Sequence, residues 1–179
     1  MKPSESDHQR FGLLMALHLT LPGSPAIIQG DETGMWGSLE AEDFKPMLWW
    51  ELVYEAEDYS HLTDGLDNKA RVEFDRALYR QVRQLARIRA RNEAMRLGSF
   101  EPFLADEQRG IFSFFRRHGE KEALVLLNLS PQDVEFEFKA PWENGIKVKD
   151  EVSETDFRIR DDVATITIKK RASVVLVKD

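Results

Sequence analysis

The sequence predicts an α+β chain in two parts: a helical segment holding one short buried strand over residues 1–97, and an antiparallel β-sandwich over 98–179. Three observations predict it. Helical spacing of apolar residues dominates the first part, at Phe11 to Leu19 and again at Phe74 to Ile88. A strand-length apolar run, Ala26 to Gln29, is fenced by Pro25 and Gly30 and is too short to be a helix. After Gly98 the apolar period drops to two, and turn signals recur between the runs.

Asp7 to Leu19 reads as the first helix, with Ser6 or Asp7 as its cap. Phe11, Leu14, Met15 and His18 share one face, and Leu13 and Leu17 widen it. Pro22 and Gly23 stop the helix. Ala26 to Gln29 then reads as a strand apolar on both faces, the kind found in a covered parallel sheet. Helix, tight turn and buried strand make the second half of a β/α unit. The stretch from Asp31 to Lys69 is irregular and rich in acids and aromatics. Arg71 to Leu97 reads as one long helix with a stripe of Phe74, Leu78, Val82, Leu85 and Ile88. Its arginines crowd toward the C-terminal end, where they complement the helix dipole, and Gly98 is placed to cap it.

In the second part Val134, Phe136 and Phe138 alternate with Glu135, Glu137 and Lys139. Thr165 and Thr167 alternate with Ala164, Ile166 and Ile168. Ala123 to Leu129 and Ser173 to Val177 are continuous apolar strands. Turns are expected at Asp106–Gly110, His118–Gly119, Ser130–Pro131, Asn144–Gly145 and Asp161–Asp162.

Bulk composition narrows the function. With 42% apolar and 32% charged residues the 179-residue chain can bury a core, as one generous domain or two small ones. A net charge of −7 leaves no basic face for a phosphate backbone, so nucleic acid is not an expected partner. There is no cysteine, which excludes disulfides, thiolate metal sites and a cysteine nucleophile. The first ten residues are polar, and the run from Phe11 to Ile28 is broken by His18, Pro22, Gly23 and Pro25. Neither a signal core nor a membrane span is expected, and the reading is cytoplasmic. No cofactor is expected: there is no glycine-rich phosphate loop, no metal-type spacing of His8, His18, His61 and His118, and no calcium-loop spacing of acids.

The stretch "LTLPGSPAIIQGDETGMWG", Leu19 to Gly37, resembles the segment around the eighth barrel strand of the α-amylase family, the family 13 glycoside hydrolases. There a Leu-Pro-Gly-x-Pro turn leads into the strand, which closes on Gly-Asp-Glu or Gly-Thr-Glu and then Gly-Met. "KPMLWW" resembles the family's Arg-x-Pro-Met-x-Trp loop, "LYRQVRQLARIRARNEAMRLGSF" its last barrel helix, and "ALVLLNLS" a central strand of its C-terminal β-domain. The order of these pieces covers nearly the whole chain, and the likeness is nearest to cyclomaltodextrinases and neopullulanases. It implies a C-terminal remnant of a (β/α)8 barrel (helix, eighth strand, long loop, last helix) followed by the β-sandwich.

The resemblance implies α-glucan or maltooligosaccharide as substrate of a full-length enzyme, with retaining cleavage or transfer at α-1,4 or α-1,6 bonds. Retaining hydrolysis needs two carboxyl groups roughly 5 Å apart. In the family the nucleophile follows the fourth strand, the acid/base the fifth, and a third aspartate the seventh. None of these regions has a counterpart here. Asp7-His8 has the reverse order of the family's His-Asp pair and precedes the wrong strand. No catalytic residue is therefore assigned.

Barrel active sites lie at the C-terminal ends of the strands, so Asp31, Glu32 and Trp36 are the substrate-rim candidates. The alternative is that Asp31 and Glu32 cap loop amides or pair with an arginine, and that Trp36 packs in its loop. Trp49 and Trp50 read as loop core, and Trp142 as edge packing or an accessory sugar platform. The adjacent acids Glu42 and Asp43 form no independent hydrolytic pair without help from the fold. Glu40, Ala41 and Phe44 depart from the family's Asp-Pro and arginine, and Gln29 from its tyrosine. Two other readings stay open, a carbohydrate-binding or scaffold module and an interaction domain with no sugar link. In the barrel-remnant reading Phe11, Leu14, Ile27 and Ile28 would be uncovered, which predicts self-association or complementation by a barrel.

Overall fold

The computed structural model describes residues 3–36, 46–58, 69–159 and 161–178. Glu40, Ala41, Glu42, Asp43, Phe44 and His61 lie outside the described residues. The described chain is mostly antiparallel β-sheet with few helices.

The first helix, α1 (Glu5–Thr20), starts at Ser4 rather than at Ser6 or Asp7. The Asp7 N–H donates to Ser4 Oγ at 3.2 Å, and the Ser4 N–H donates to Asp7 Oδ2 at 3.0 Å. This reciprocal box satisfies two amides that a helix start leaves unpaired. The buried side of α1 carries Leu13, Met15, Ala16 and Leu19, while Leu14 is 56% exposed. Of the expected stripe, Met15 lies in the core and Phe11 packs against it, His18 is half-buried and Leu14 faces away. The first six residues of the helix are polar, and the apolar second half packs against α2 and the sheet with Leu14 left outside.

The strand expected over Ala26–Gln29 does not form. Ile28 is 69% exposed, and Ile27 is exposed too. A parallel strand draws its hydrogen bonds from neighbouring strands, and among the described residues none runs beside this segment.

The long helix expected over Arg71–Leu97 is divided into α2 (Arg76–Arg91) and α3 (Glu93–Leu97). Asp75 caps α2 by accepting the N–H groups of Ala77 and Leu78 at 3.0 and 2.9 Å. Phe74 precedes that cap and packs against Tyr79 and Trp50 instead of joining the stripe. Asn92 is extended between the helices, and its Oδ1 accepts the Met95 N–H at 3.3 Å. A short amide side chain that rivals the backbone for hydrogen bonds explains the break. Gly98 ends α3, but in an extended conformation rather than a left-handed cap. A Cβ there would lie 2.2 Å from the Ala94 oxygen and 2.8 Å from the Arg117 oxygen, so close approach is what requires glycine.

The β region runs β3 (Ser99–Asp106), β4 (Ile111–His118), β5 (Lys121–Asn128), β6 (Val134–Lys139), β7 (Lys147–Asp150), β8 (Thr155–Arg158), β9 (Val163–Ile168) and β10 (Ser173–Lys178). Before it, β1 (Glu57–Asp58) and β2 (Lys69–Ala70) make a short ladder. Among the described residues the main sheet has six antiparallel strands in the order β3-β4-β5-β10-β7-β8, and β6 pairs with β9 separately. In the centre Val125 sits opposite Val175. Ala123, Val125, Leu127 and Val175 face the helices, in one core with Leu13, Met15 and Leu85. Leu124, Leu126, Val174 and Leu176 face β6 and β9, in a second core with Phe136, Phe138 and Trp142. Both faces of β5 and β10 are therefore buried, which is why these strands are written as unbroken apolar runs. The sandwich is asymmetric: a two-stranded ribbon covers one face of the sheet and helices cover the other. The helical core joins residues from both sides of Gly98.

The turns fall where the sequence marks them. Gly110 closes the β3–β4 hairpin, Gly119 the β4–β5 hairpin, and Asp161 and Asp162 precede β9 with left-handed backbones. Among the described residues no helix is long and apolar enough to cross a membrane.

Candidate functional site

Gly30 to Trp36 follows the unpaired Ala26–Gln29 segment. Gly30 has φ +101°, and a Cβ on it would lie 2.6 Å from Met35 Sδ and 2.8 Å from Met35 Cβ. Only glycine satisfies both demands. The Gly30 carbonyl then accepts three hydrogen bonds: from the Thr33 N–H at 3.1 Å, from Thr33 Oγ1 at 3.1 Å and from the Met35 N–H at 3.0 Å. Asp31 to Thr33 form a single tight 3-10 turn.

Both candidate carboxylates are engaged inside this loop. Asp31 Oδ2 accepts the Ile28 N–H at 3.1 Å, and Glu32 Oε2 accepts the Gly30 N–H at 3.2 Å. They cap loop amides, the alternative the residue types left open. Each has one oxygen with no partner among the described residues, and both side chains are half-buried. They turn back to different amides of the loop.

The loop is tied down at its far end. The Asp75 N–H donates to the Thr33 carbonyl at 3.0 Å, and Asp75 Oδ2 lies 3.0 Å from His8 Nδ1. Gly34 sits under this pair, where a Cβ would come 3.1 Å from Asp75 Cβ. Asp75 thus caps α2, holds His8 of α1 and receives the loop. Its role was not visible in the sequence beyond its position before an apolar-periodic run.

Trp36 is half-buried and lines a cavity of about 140 Å³ with Pro46, Leu48, Tyr54 and Val72. Ligand sites usually enclose about 300–1,000 Å³, so this cavity is a packing gap rather than a closed sugar pocket. Trp49 and Trp50 are exposed, at 53% and 48%, and are not the loop core expected of them. Tyr54 Oη accepts the Trp49 N–H at 2.6 Å, and Trp50 leans on Phe74 and Tyr79. Trp142 is 5% exposed, so it cannot stack on a sugar from outside. Its Nε1 donates to Glu122, and its ring meets Phe115 edge-on.

His18 is half-buried, with Nε2 2.9 Å from the Ala26 carbonyl oxygen, and His118 is exposed. No cluster of three or more metal-ligating side chains occurs among the described residues. A larger concavity of about 1180 Å³ opens beside Asn92, between Arg91, Arg96, Lys121 and Glu120. It is lined by charges of both signs and by no aromatic ring, and it shares no residue with the Gly30–Trp36 loop.

The antiparallel sheet and its ribbon have the fold of the C-terminal β-domain found in α-amylase-family enzymes. Residues 102–175 match the family model described as Maltogenic Amylase, C-terminal domain. The chain is 27% identical over 119 residues to neopullulanase 2 of Thermoactinomyces vulgaris, covering 66% of this chain and 17% of that protein. It is 28% identical over 130 residues to cyclomaltodextrinase of Geobacillus thermopakistaniensis (strain MAS1), covering 73% of this chain and 19% of that one. The solved structure of an Anoxybacillus α-amylase superposes with a TM-score of 0.73 at 17% identity, over 95% of this chain and 32% of that chain. The chain resembles the C-terminal portion of an α-amylase-family glycoside hydrolase of the cyclomaltodextrinase–neopullulanase kind, and it spans less than a fifth of the curated relatives it matches.

Proposed function

We propose that this chain is the C-terminal part of an α-glucan-acting glycoside hydrolase, which in its whole form cleaves α-glucosidic bonds with retention. In this reading residues 1–97 are the last segment of a (β/α)8 barrel, 98–179 are its β-domain, and Asp31, Glu32 and Trp36 stand at the substrate rim. The chain by itself does not hydrolyse glucan.

The observation that carries the reading is the exposure of large apolar side chains, Leu14 on α1 and Ile27 and Ile28 in the segment resembling the eighth barrel strand. Large apolar side chains left exposed in this way call for a covering partner. In a whole barrel the seventh and first strands would flank Ala26–Gln29 and supply its missing hydrogen bonds. The coverage of roughly a third of a solved α-amylase at 95% of this chain agrees in size.

The test is complementation. A cyclomaltodextrinase cut before its last barrel strand is co-expressed with this chain, and maltotriose hydrolysis is assayed. Hydrolysis with both pieces and neither alone supports the reading. Hydrolysis by this chain alone overturns it. The same surface predicts self-association of the isolated chain, and a monomer at high concentration in sedimentation would count against that part.

A further inference from the structure

Two buried arginines lie at the C-terminal end of α1. Arg89, on the inner side of α2, donates from Nη1 to the carbonyls of Leu19 and Leu21, each at 2.9 Å, and from Nη2 to that of Gly23. Arg116, on β4 and wholly buried, donates from Nη1 to the Thr20 carbonyl at 2.5 Å. Its Nη2 and Nε hold the carbonyls of Gly98 and Ser99 at 2.8 and 2.9 Å. Among the described residues neither guanidinium pairs with a carboxylate, whereas the neighbouring Arg117 pairs with Glu101 and Glu122. Burial lowers the pKa of both, and the charge of Arg89 adds to the effect on Arg116.

A buried pair of like charges is costly, and what offsets it is the end of a helix. The last carbonyls of α1 have no partner within the helix and carry the negative end of its dipole. A guanidinium presents a planar fork that reaches several of them at once, which an ammonium cannot. The target is specific: Leu19 to Gly23 is the turn that launches the Ala26–Gln29 segment. That segment has no ladder of its own, so its position depends on its two ends. At one end stand the arginines, supported by His18 at the Ala26 carbonyl. At the other stand Asp75 and His8.

We propose that Arg89 and Arg116 are positioning residues that clamp the Leu19–Gly23 turn, so that the β-domain, through β4, sets where the Gly30–Trp36 loop sits. Its functional meaning rests on the reading of that loop as a substrate rim.

Hydrogen–deuterium exchange of the 179-residue chain tests the clamp, in Arg116→Met and Arg89→Met with Arg116→Lys as the conservative control. The amide of Leu21, bonded back to Leu17, and those of Asp31, Thr33 and Met35, bonded within the loop, report on it. Each methionine variant is expected to speed their exchange about tenfold or more, with β5 and β10 changing less than about twofold. Arg116→Lys, which keeps the charge but loses the fork, is expected to recover only part of the protection of Leu21. A uniform rise across loop and sheet in both methionine variants overturns the proposal, because it would mark general stabilisation. An unchanged loop overturns it as well. Maltotriose added with the complementing barrel piece separates the two ideas: if the loop's exchange ignores sugar while the arginine variants behave as expected, the rim reading fails and the clamp stands.

Discussion

His8 Nδ1 and Asp75 Oδ2 lie 3.0 Å apart, joining the first turn of α1 to the cap of α2 across a sequence separation of 67 residues. The other oxygen of Asp75 accepts two amides of α2, and its own N–H holds the Thr33 carbonyl. One residue thus fixes two helix starts with its carboxylate and the loop between them with its N–H. Asp75→Ala is expected to lower stability by about 1–2 kcal/mol, the size of a lost N-cap with its side-chain partner. Asp75→Asn, which keeps an oxygen for the α2 amides, should cost less than half of that. Urea midpoints of the two variants check this. Equal losses would mean that the contact to His8, rather than the cap, carries the energy.

Trp142 separates the binding-module reading from the structural one. Its ring is buried among Phe115, Phe136 and Phe138, and its N–H is taken by Glu122. Trp142→Ala should cost about 3–5 kcal/mol, as removal of a buried aromatic does. Trp142→Phe should cost less, since the ring contact is kept and only the bond to Glu122 is lost. Neither variant should alter maltooligosaccharide binding when measured by calorimetry at full occupancy of the fold. A selective loss of binding without loss of stability would restore the platform reading.

Where local rules decide, the sequence was readable. The two-face burial of β5 and β10 is written in Leu124 to Leu127 and Val174 to Leu176, and the ribbon in the alternation around Phe136 and Phe138. The first part was less readable because its cues are satisfied by groups outside it. Ala26–Gln29 has strand composition, but a strand also needs neighbours, and the described residues supply none. Leu14 lies on an apolar face that no described element covers, so periodicity grouped it with Phe11 and Met15, which do pack. Asn92 could have been flagged as a break, being a capping residue inside a long helical pattern. At the loop, the glycines and acids were visible, but the choice of amide each carboxylate accepts depends on the turn at Gly30, a matter of backbone handedness.

Acid sensitivity should come partly from Asp133. The hydrogen bond from Lys169 Nζ at 2.8 Å, followed by that from the Lys170 N–H at 2.8 Å, lowers its pKa below the ordinary aspartate value. A carboxyl lowered in the folded state binds protons more readily when unfolded. Its stabilisation is present above the unfolded pKa and is lost as pH falls through the folded value. Asp106 is lowered in the same direction, first by the Arg109 backbone amide and then by its side chain. Both groups are exposed, so the effect is modest and weakened by salt. Stability followed by urea unfolding from neutral pH down to about pH 2.5 should fall on the acid side, below the ordinary aspartate range. Asp133→Asn should show a shallower fall. An identical slope would assign the acid limb to other carboxylates.

Gly30 and Gly119 both have left-handed backbones, at φ +101° and +56°, yet they differ in surroundings. A Cβ on Gly119 meets nothing within 4 Å, whereas one on Gly30 would lie 2.6 Å from Met35 Sδ. Gly119→Ala therefore carries only the conformational cost of a left-handed alanine, about 1–2 kcal/mol. Gly30→Ala adds the displacement of Met35, whose N–H is one of the three donors to the Gly30 carbonyl. It should cost more than Gly119→Ala and should also change Trp36, the next residue, which Gly119→Ala should leave alone. Fluorine NMR of chain labelled with fluorotryptophan resolves this, since the ring of Trp142 in the sheet core serves as an internal reference. If Gly30→Ala moves the Trp36 resonance and leaves that of Trp142 in place, the loop is a single rigid unit that hands its geometry from Gly30 to the aromatic ring. If both resonances stay put, Met35 yields without disturbing its neighbour, and Trp36 is positioned by its contacts with Leu48 and Tyr54 instead.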